Sequence, residues 1–286
     1  MLPSIYVGTL TIDIARALAR EGYSYVYLAS MHVQRNGSLM LNNAPLTVGS
    51  HPELREAVQM LNDAGAAVLP SLGGFDSSDE DYRNAMRDPH AFRANLLAVI
   101  DEYGFAGIDL DLEAVERPYS FYRDVCANIA NFVALHALPD GYRCFVTASP
   151  YTAADFWIGL LRETIVDGVQ AIDHFNLQTF GGADFPTWQR KLDDAGVVPD
   201  SQAFLCPVFH ANESTPRQLH DSLRTIAEWF PRCVTAAVWK SERIEKGYVL
   251  TEYADAILSA KPAVKPMKAV PLMQRKRVRF ASLVAV

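Results

Sequence analysis

The chain has 286 residues, of which 50% are hydrophobic and 21% charged, with 16 glycines and 16 prolines. This composition suits one large domain or two average ones and excludes collagen-like, mostly disordered and coiled-coil chains. The net charge is −7, but residues 261–286 hold seven Lys or Arg and no acid, so the first 260 residues carry −14. Because such an acidic body repels phosphate backbones, we expect it to bind no nucleic acid.

Short apolar or β-branched runs alternate with helix-period segments along the first 260 residues. The predicted strands are, in chain order, 4–8, 25–30, 67–72, 107–113, 144–149, 171–179, 203–209 and 233–239. The predicted helices lie near 12–21, 51–64, 90–103, 118–136, 154–166, 185–195, 215–229 and 250–260. Eight βα units of this size favour the α/β class and a closed (β/α)8 TIM barrel. A doubly wound sheet in two domains is the alternative, but no Pro/Gly/Ser-rich linker divides these residues.

The end of the chain has a different composition. Three prolines, Pro262, Pro266 and Pro271, prevent the last helix from continuing. We therefore predict a barrel over residues 1–260 and a basic, proline-containing tail over 261–286. The tail is interpreted as a disordered end, with one short docked segment as the alternative.

Several classes of segment and site are not predicted. No apolar run reaches the length of a membrane span, and the chain as numbered begins without the pattern of a secretory signal, which leaves the compartment open. The seven histidines form no HxH or HExxH motif, so no metal or cofactor is expected. The four cysteines lack metal-type spacing and are interpreted as buried free thiols: Cys126, Cys144, Cys206 and Cys233.

The fourth predicted strand carries three acids at alternate positions, Asp109, Asp111 and Glu113. Because side chains alternate along a strand, the acids share one face, and Ile108 and Leu110 lie on the other. In a barrel the apolar face packs on the helices, so the acids point into the lumen, where three neighbouring carboxylates cannot all be ionised. At least one should hold a proton near neutral pH, as a general acid does. Glu113 is expected nearest the carboxyl-terminal mouth, where barrel enzymes place their chemistry.

This strand closely resembles the signature D-G-x-D-x-D-x-E of family 18 glycoside hydrolases, with Ala106 in place of the first Asp. The S-L-G-G at 71–74 resembles the S-x-G-G of the family's third strand, and the T-A-S-P at 147–150 is similar to the fifth strand of the plant class III, hevamine-like branch. The Q-T-F at 178–180 occupies that branch's Q-x-Y position, and Trp239-Lys240 resembles the end of its eighth strand. The resemblance spans about residues 4–260.

The resemblance implies a glycoside hydrolase that cleaves β-1,4 bonds in N-acetylglucosamine-containing oligo- or polysaccharides with retention and substrate assistance. It implies Glu113 as general acid and base. Asp111 would orient the substrate's acetamido group, and Asp109 would share a proton with Asp111. Trp239 would be an aromatic floor beneath a sugar ring. The candidate substrate-binding residues are Gln178, Phe180, Trp239, Tyr151, Tyr6, Ser71, Gly73 and Gly74.

Two positions depart from the family pattern. Ala106 replaces an acid that is mainly a structural partner, so we expect a modest effect there. Phe180 replaces a tyrosine whose hydroxyl binds the acetamido carbonyl, and the loss of one such donor can lower a rate by about 10² to 10³. Tyr151 or Tyr6 is a candidate source of a substitute hydroxyl.

Three functions remain open on these residues. The first is a chitinase-like hydrolase, and the second is an endo-β-N-acetylglucosaminidase that acts on N-glycans. The third is a catalytically silent chitin-binding lectin of the same fold. The presence of Glu113 favours an enzyme because silent members typically lose that acid, whereas Phe180 favours the lectin. We expect a monomeric enzyme, with the natural polymer and the endo or exo preference left open.

Overall fold

The computed structural model describes residues 1–75, 78–113, 119–139, 141–166, 168–239 and 249–260, and within these ranges strands and helices alternate. The strands are β1 (Leu2–Val7), β2 (Tyr25–Val33), β3 (Leu39–Leu41), β4 (Ala44–Leu46), β5 (Ala67–Gly73), β6 (Gly107–Asp111), β7 (Phe145–Ala148), β8 (Ile165–Val166), β9 (Val169–Gln170), β10 (His174–Gln178), β11 (Leu205–His210) and β12 (Thr235–Trp239). The helices are α1 (Ile12–Arg20), α2 (Pro52–Asp63), α3 (Ser78–Arg87), α4 (Pro89–Tyr103), α5 (Tyr119–Ala134), α6 (Ala154–Glu163), α7 (Phe185–Ala195), α8 (Ser201–Phe204), α9 (Pro216–Trp229) and α10 (Leu250–Ser259).

Eight parallel strands form a closed ring in chain order, β1, β2, β5, β6, β7, β10, β11 and β12. The ring closes because β1 pairs with both the second and the last barrel strand. Ser4 lies opposite Tyr25 on one side and opposite Ala237 on the other. The predicted (β/α)8 barrel is therefore confirmed, and the doubly wound alternative is wrong.

Some predicted boundaries are wrong. The fourth barrel strand ends at Asp111, so Glu113 lies two residues beyond it. Residues 203 and 204, predicted as strand, belong to α8, because the Asp200 side chain caps this helix by accepting a hydrogen bond from the Ala203 amide. Residues 165 and 166, predicted as helix, instead form β8, which pairs with β9 in a short hairpin.

Two further features were not predicted, and both lie beside the carboxyl end of β2. The first is the antiparallel extension in which β3 pairs with β2 and β4 pairs with β3. The Asn36-Gly37 dipeptide forms the turn between β2 and β3, and Gly37 has a φ of 76°, a left-handed conformation that suits glycine. The second is α3, which contacts both β2 and β5.

Helix starts follow local capping chemistry. The side chain of Asp88 accepts a hydrogen bond from the amide of Ala91, and Pro89 follows it at the first helical position of α4. Thr215 and Gln218 form a reciprocal capping box at the start of α9. These caps satisfy amides that have no partner inside the helix.

Two apolar clusters separate the outside of the barrel from its lumen. Ile108 and Leu110 of β6 are fully buried in the outer cluster together with helix residues such as Leu96 and Val125. The lumen holds a second, smaller cluster that includes three stacked or neighbouring tyrosines: Tyr6, Tyr25 and Tyr27. The acids of β6 therefore point into a lumen that this second cluster already partly fills.

All four cysteines are buried thiols that form no disulfide, as predicted. Among the helices in the described ranges, none combines the length and hydropathy needed to cross a bilayer. Residues 261–286 lie outside the described residues, so the division into a barrel and a tail stays a prediction.

Gly107 offers a direct test of the register between β6 and β7, where it pairs with Phe145. A Cβ at position 107 would lie 1.8 Å from the carbonyl oxygen of Phe145, so Gly107→Ala should lower the free energy of unfolding by about 3 kcal/mol. Gly65→Ala is the control, because Gly65 also has a positive φ but no atom within 4 Å of the added Cβ. Urea unfolding of both variants measures the difference, and equal losses would contradict the register.

Candidate active site

The carboxyl end of β6 carries the three predicted acids. Asp109 and Asp111 are 0% and 1% exposed, whereas Glu113, just past the strand, is half-buried. The alternation along β6 sends both aspartates into the lumen, because Ile108 and Leu110 occupy the outer face. The structure therefore brings the three acids into one line that rises from the barrel interior towards its mouth.

Asp109 is the most extensively hydrogen-bonded of the three. The amide of Asn176 donates to it at 3.1 Å. Burial raises the pKa of Asp109, and the hydrogen bonds from Thr147, Ser71, Ser149 and Asn176 act in the opposite direction. Hydroxyls from three other barrel strands complete its partners: Tyr6 at 3.3 Å, Ser71 at 2.7 Å, Thr147 at 2.5 Å and Ser149 at 2.8 Å.

Asp111 has far fewer partners. Gln178 donates to its Oδ1 at 3.1 Å, and its buried Oδ2 has no hydrogen-bond partner among the described residues. Burial raises the pKa of Asp111 well above its ordinary value, and the negative charges of Glu113 and Asp109 raise it further. Asp111 is therefore the aspartate of the pair that the fold disfavours in its ionised form.

Glu113 lies at the floor of the cleft above Asp111. Its Oε1 accepts from Gln178 Nε2 at 3.4 Å, so one amide contacts both acids. The hydroxyl of Tyr151 donates to the backbone carbonyl of Glu113 at 3.2 Å, which ties the end of β6 to the segment after β7. A half-buried carboxyl beside a buried acid can exchange protons with a ligand in the cleft.

The cleft is a cavity of about 700 Å³ at the carboxyl-terminal mouth of the barrel. This volume falls within the range of small-ligand sites, about 300 to 1,000 Å³. Ser71, Asp109 and Asp111 lie beneath the lining rather than in it. The lining residues are Tyr6, Val7, Gly8, Ala29, Ser30, His32, Asn42, Gly73, Gly74, Phe75, Glu113, Tyr151, Gln178, Phe180, Gly181, His210 and Trp239.

Gly73 and Gly74 keep the floor of the cleft low. Both have a φ near +105° (104° and 105°), and the Gly74 amide donates to the Asp111 carbonyl at 2.9 Å. A Cβ on Gly74 would lie 3.2 Å from Ser30 Oγ and 3.8 Å from Asp111 Oδ2. Glycine therefore leaves open the space directly above the unpaired oxygen of Asp111.

An aromatic wall borders the cleft on the β10 to β12 side. The ring of Trp239 lies 4.7 Å from that of Tyr6 and 6.3 Å from that of Phe180, with the latter pair inclined by 26°. Phe180 also contacts His210 edge to face at 5.4 Å. Lys240, which the sequence associates with Trp239, lies outside the described residues.

The two candidate substitute hydroxyls are both engaged within the protein. Tyr6 is 2% exposed, and its hydroxyl lies 2.7 Å from Ser149 Oγ and 3.3 Å from Asp109. The hydroxyl of Tyr151 donates to the Glu113 backbone. Tyr6 therefore turns its hydroxyl towards the lumen, although its ring lines the cleft.

Sequence reasoning missed Phe75 among the cleft residues. Phe75 follows Gly74 and is 86% exposed, which is unusual for an aromatic side chain and places an apolar ring at the rim of the cleft. The position of Phe75 directly after the glycine pair was the sequence signal that could have identified it as a cleft residue. His32 and His210 both line the cleft, and among the described residues no group of three His, Cys, Asp or Glu is arranged to hold a metal ion.

Comparisons with known proteins agree with these motifs. The model of the glycosyl hydrolases family 18 matches residues 5–213. A segment covering 34% of this chain is 30% identical to a chitinase from Enterococcus faecalis, of which it spans 27% of the length.

Solved structures share the fold. The crystal structure of a GH18 chitinase from Pseudoalteromonas aurantia superposes with a TM-score of 0.66, at 15% identity, over 91% of this chain and all (100%) of that one. A fungal endo-β-N-acetylglucosaminidase of the same family gives 0.65, at 14% identity, over 90% of this chain and 98% of that one.

The raised pKa of Asp111 predicts a pH-dependent effect of Asp111→Asn on stability. Above about pH 4 an unfolded Asp releases its proton, whereas Asp111 in the folded state keeps it. The contribution of Asp111 to the free energy of unfolding therefore falls as the pH rises towards the pKa of the folded state. The stability of Asp111→Asn relative to the unsubstituted chain should therefore rise between pH 4 and pH 7.

Urea unfolding at the two pH values measures this change. Asp194→Asn is the matched control, since Asp194 is exposed on α7. The explanation is wrong if the relative stability of Asp111→Asn is the same at both pH values.

Proposed function

The chain belongs to the family 18 glycosyl hydrolases, and on that premise we propose that it is a chitinase-like enzyme that hydrolyses β-1,4 bonds of N-acetylglucosamine-containing polymers. One observation carries this proposal. The side-chain amide of Gln178 contacts both Asp111 and Glu113. Asp111, which is buried and has a raised pKa, therefore lies directly beneath Glu113, which is half-buried and lines the cleft.

Glu113 is the proposed general acid and base. It protonates the glycosidic oxygen while the carbonyl oxygen of the substrate's own acetamido group attacks the anomeric carbon, so the bond to the leaving sugar breaks and a cyclic oxazolinium forms. Water then attacks the anomeric carbon, and Glu113 accepts its proton as the oxazolinium ring opens. Two inversions give net retention without an enzyme nucleophile, which is the substrate-assisted route.

Asp111 is the proposed partner of the acetamido group. Its Oδ2 is buried and has no partner among the described residues, and an acetamido N–H is a donor that would satisfy it. A carboxylate here would also stabilise the positive charge of the oxazolinium, since both lie in a site of low dielectric. Gln178 holds the other oxygen of Asp111 and so fixes the orientation of the carboxyl group.

Asp109 completes the proposed proton arrangement. The two buried aspartates follow each other on one face of β6, so they titrate as a pair rather than independently. Among the described residues, five donors surround Asp109 and only Gln178 donates to Asp111, so the shared proton is stabilised on Asp111. As the oxazolinium forms, its positive charge favours the ionised form of Asp111, so the shared proton moves towards Asp109.

The walls of the cleft suit sugar rings. Trp239 and Phe180 present aromatic surface, against which the C–H faces of a pyranose pack. Phe75 offers a further ring at the rim. The presence of both Glu113 and Asp111 argues against a silent lectin, because binding alone gives no reason to bury an acid whose Oδ2 has no hydrogen-bond partner among the described residues.

An endo-β-N-acetylglucosaminidase acting on N-glycans is the second candidate. The observation that favours it is the β3–β4 extension, which adds a wall beside the cleft and enlarges the surface open to a branched substrate. Both candidates use the same acids, so they differ in substrate rather than in chemistry.

Glu113→Gln tests the chemical step. We expect the unsubstituted enzyme to release a fluorescent aglycone from chitobiose and chitotriose glycosides, and the variant to lose at least about 10³ of kcat because the amide can neither donate nor accept the transferred proton. Binding should persist, as measured by calorimetry with chitotriose. Asp13→Asn, an exposed change on α1, is the control. Sugar binding without turnover by the unsubstituted chain, on these or N-glycan substrates, would favour the lectin.

Phe180→Tyr tests whether a tyrosine hydroxyl at this position raises the activity. If the cleft takes an N-acetyl group, a tyrosine hydroxyl at this position should raise kcat by about tenfold or more, since one oriented donor to a developing charge is worth about 10² to 10³. Phe75→Tyr is the matched control, because it adds the same hydroxyl at the exposed rim. A rate for Phe180→Tyr that is unchanged or lower would show that another donor already fills the role.

A further inference from the structure

The lumen contains a buried polar pair that the proposed reaction does not use, Tyr27 of β2 and His174 of β10. The two residues are 0% and 7% exposed, and the Tyr27 hydroxyl lies 2.9 Å from His174 Nε2. β2 and β10 are on opposite sides of the ring, with three barrel strands between them in either direction, so this hydrogen bond crosses the lumen. Burying two polar groups beside an apolar cluster costs free energy, which suggests that the pair has a task.

The pair is uncharged near neutral pH, and this fixes the direction of its hydrogen bond. Burial lowers the pKa of His174 to about 4 and raises the pKa of Tyr27 well above its ordinary value. A neutral imidazole has one acceptor nitrogen, so the Tyr27 hydroxyl donates to His174 Nε2 and the ring proton is on Nδ1. The ring of Tyr25 packs edge to face on His174 at 5.3 Å and closes this side of the lumen.

The first link from the pair to the active site is the stacking of Tyr27 on Tyr6. Their ring centroids lie 4.5 Å apart, and the ring planes are inclined by 21°. The Tyr6 hydroxyl donates to Asp109 Oδ2 at 3.3 Å. Because the packing is close, the hydrogen bond that holds Tyr27 in place also limits the movement of the Tyr6 ring.

The second link runs along β10. His174 and Asn176 are two positions apart and therefore point to the same face of the strand. Asn176 Nδ2 donates to Asp109 Oδ1 at 3.1 Å, and Asn176 also lowers the pKa of Tyr27 and raises that of His174, so its side chain lies near both. The register agrees, since Thr147 of β7 is opposite both Asp109 and His174.

The proton affinity of Asp109 depends on its donors. Burial and hydrogen bonds are the causes that act on the pKa of Asp109. Asp111 is the neighbouring group whose charge changes during the proposed reaction, whereas burial raises the pKa of the other titratable groups around Asp109 and keeps them neutral. These neutral groups are Tyr6 of β1, Tyr27 of β2, Tyr82 of α3 and Cys206 of β11.

We propose that Tyr27 and His174 are positioning residues of the proposed reaction. They hold two donors of Asp109 in place, the hydroxyl of Tyr6 and the amide of Asn176. Through these donors they set how the proton is shared between the two aspartates of β6. The inference rests on the proposed function, because it concerns the proton that the two aspartates exchange in that reaction.

The direction of the effect follows from the donors. Hydrogen bonds to the carboxylate of Asp109 stabilise its ionised form, and so they keep the shared proton on Asp111 until the oxazolinium forms. Donors that are loosely held would stabilise this carboxylate less. The proton would then move to Asp109 before the substrate reacts, and its transfer would no longer accompany the chemical step.

Three variants remove the pair from either side: Tyr27→Phe, His174→Leu and the two together. His174→Gln is the conservative variant, since its amide oxygen can still accept from the Tyr27 hydroxyl. Tyr103→Phe is the matched control, because Tyr103 is 2% exposed and its hydroxyl donates to the Thr47 carbonyl at 2.8 Å, on α4 outside the barrel strands. Thermal unfolding of the full chain shows which variants are folded.

The first measurement does not depend on activity. Carbon NMR follows the carboxyl group of Asp109 through a pH titration, with the signal assigned by its loss in Asp109→Asn. We expect the midpoint to rise in Tyr27→Phe and in His174→Leu, because weaker donors stabilise the carboxylate less. It should stay unchanged in Tyr103→Phe and return towards the original value in His174→Gln.

The second measurement is kcat and KM for a chitobiose glycoside as a function of pH. We expect kcat near neutral pH to fall about tenfold in Tyr27→Phe and His174→Leu, since a displacement of about 1 Å in a reacting group can cost about 10²-fold. KM should stay constant, because neither residue lines the cleft. The double variant should be no slower than His174→Leu, since it leaves no Tyr27 hydroxyl without an acceptor.

The two measurements separate this inference from the proposed function. An unchanged Asp109 midpoint in Tyr27→Phe and His174→Leu overturns the inference, and so does an equal rise in Tyr103→Phe. A raised midpoint with unchanged kcat also overturns it, because the pair would then have no effect on the reaction. Absence of cleavage by the unsubstituted chain refutes the proposed function, and the titration still decides whether the pair acts on Asp109.

Discussion

The free-energy cost of burying two carboxyl groups in the lumen of a barrel governs the design of this site. An isolated carboxylate is strongly disfavoured away from water, so each acid needs donors, a proton, or both. Asp109 has five donors from four strands of the ring. Asp111 has one among the described residues, and burial together with the negative charges of Glu113 and Asp109 raises its pKa well above the ordinary value. Two chemically identical side chains thus have different roles. Asp109 is held in place by hydrogen bonds, whereas Asp111 can change its protonation state.

The closed barrel is what makes this division possible. The donors to Asp109 come from β1, β5, β7 and β10, which are distant in the chain and converge only because the ring closes. The glycine pair at the end of β5 then keeps backbone and side chain away from the free oxygen of Asp111. Stability and reactivity are therefore separated by depth, since the fully hydrogen-bonded Asp109 lies deep in the lumen, whereas Asp111 with its unpaired oxygen and Glu113 lie nearer the mouth.

The mouth itself has two contrasting halves. Trp239 and Phe180 form an apolar wall near the ends of β10 and β12, which suits the faces of sugar rings. On the opposite side, Asn42 and His32 lead to a polar cavity built by elements outside the eightfold repeat.

Much of the fold and of the candidate site could be predicted from the amino-acid sequence alone. The period-two placement of Asp109, Asp111 and Glu113 predicts a shared inward face, because alternation along a strand is a local property. The βα rhythm likewise predicts the barrel, since apolar periodicity reports which face of each element is buried. Neither pattern revealed the β3–β4 extension, the helix α3 or the exposed ring of Phe75. The hydrogen bonds that distinguish Asp109 from Asp111 were equally invisible, because they join residues up to 103 positions apart, as between Tyr6 and Asp109. Local sequence thus determined which residues face inward, whereas only closure of the ring decided which of them meet, because contacts between distant segments depend on the packing of the whole chain.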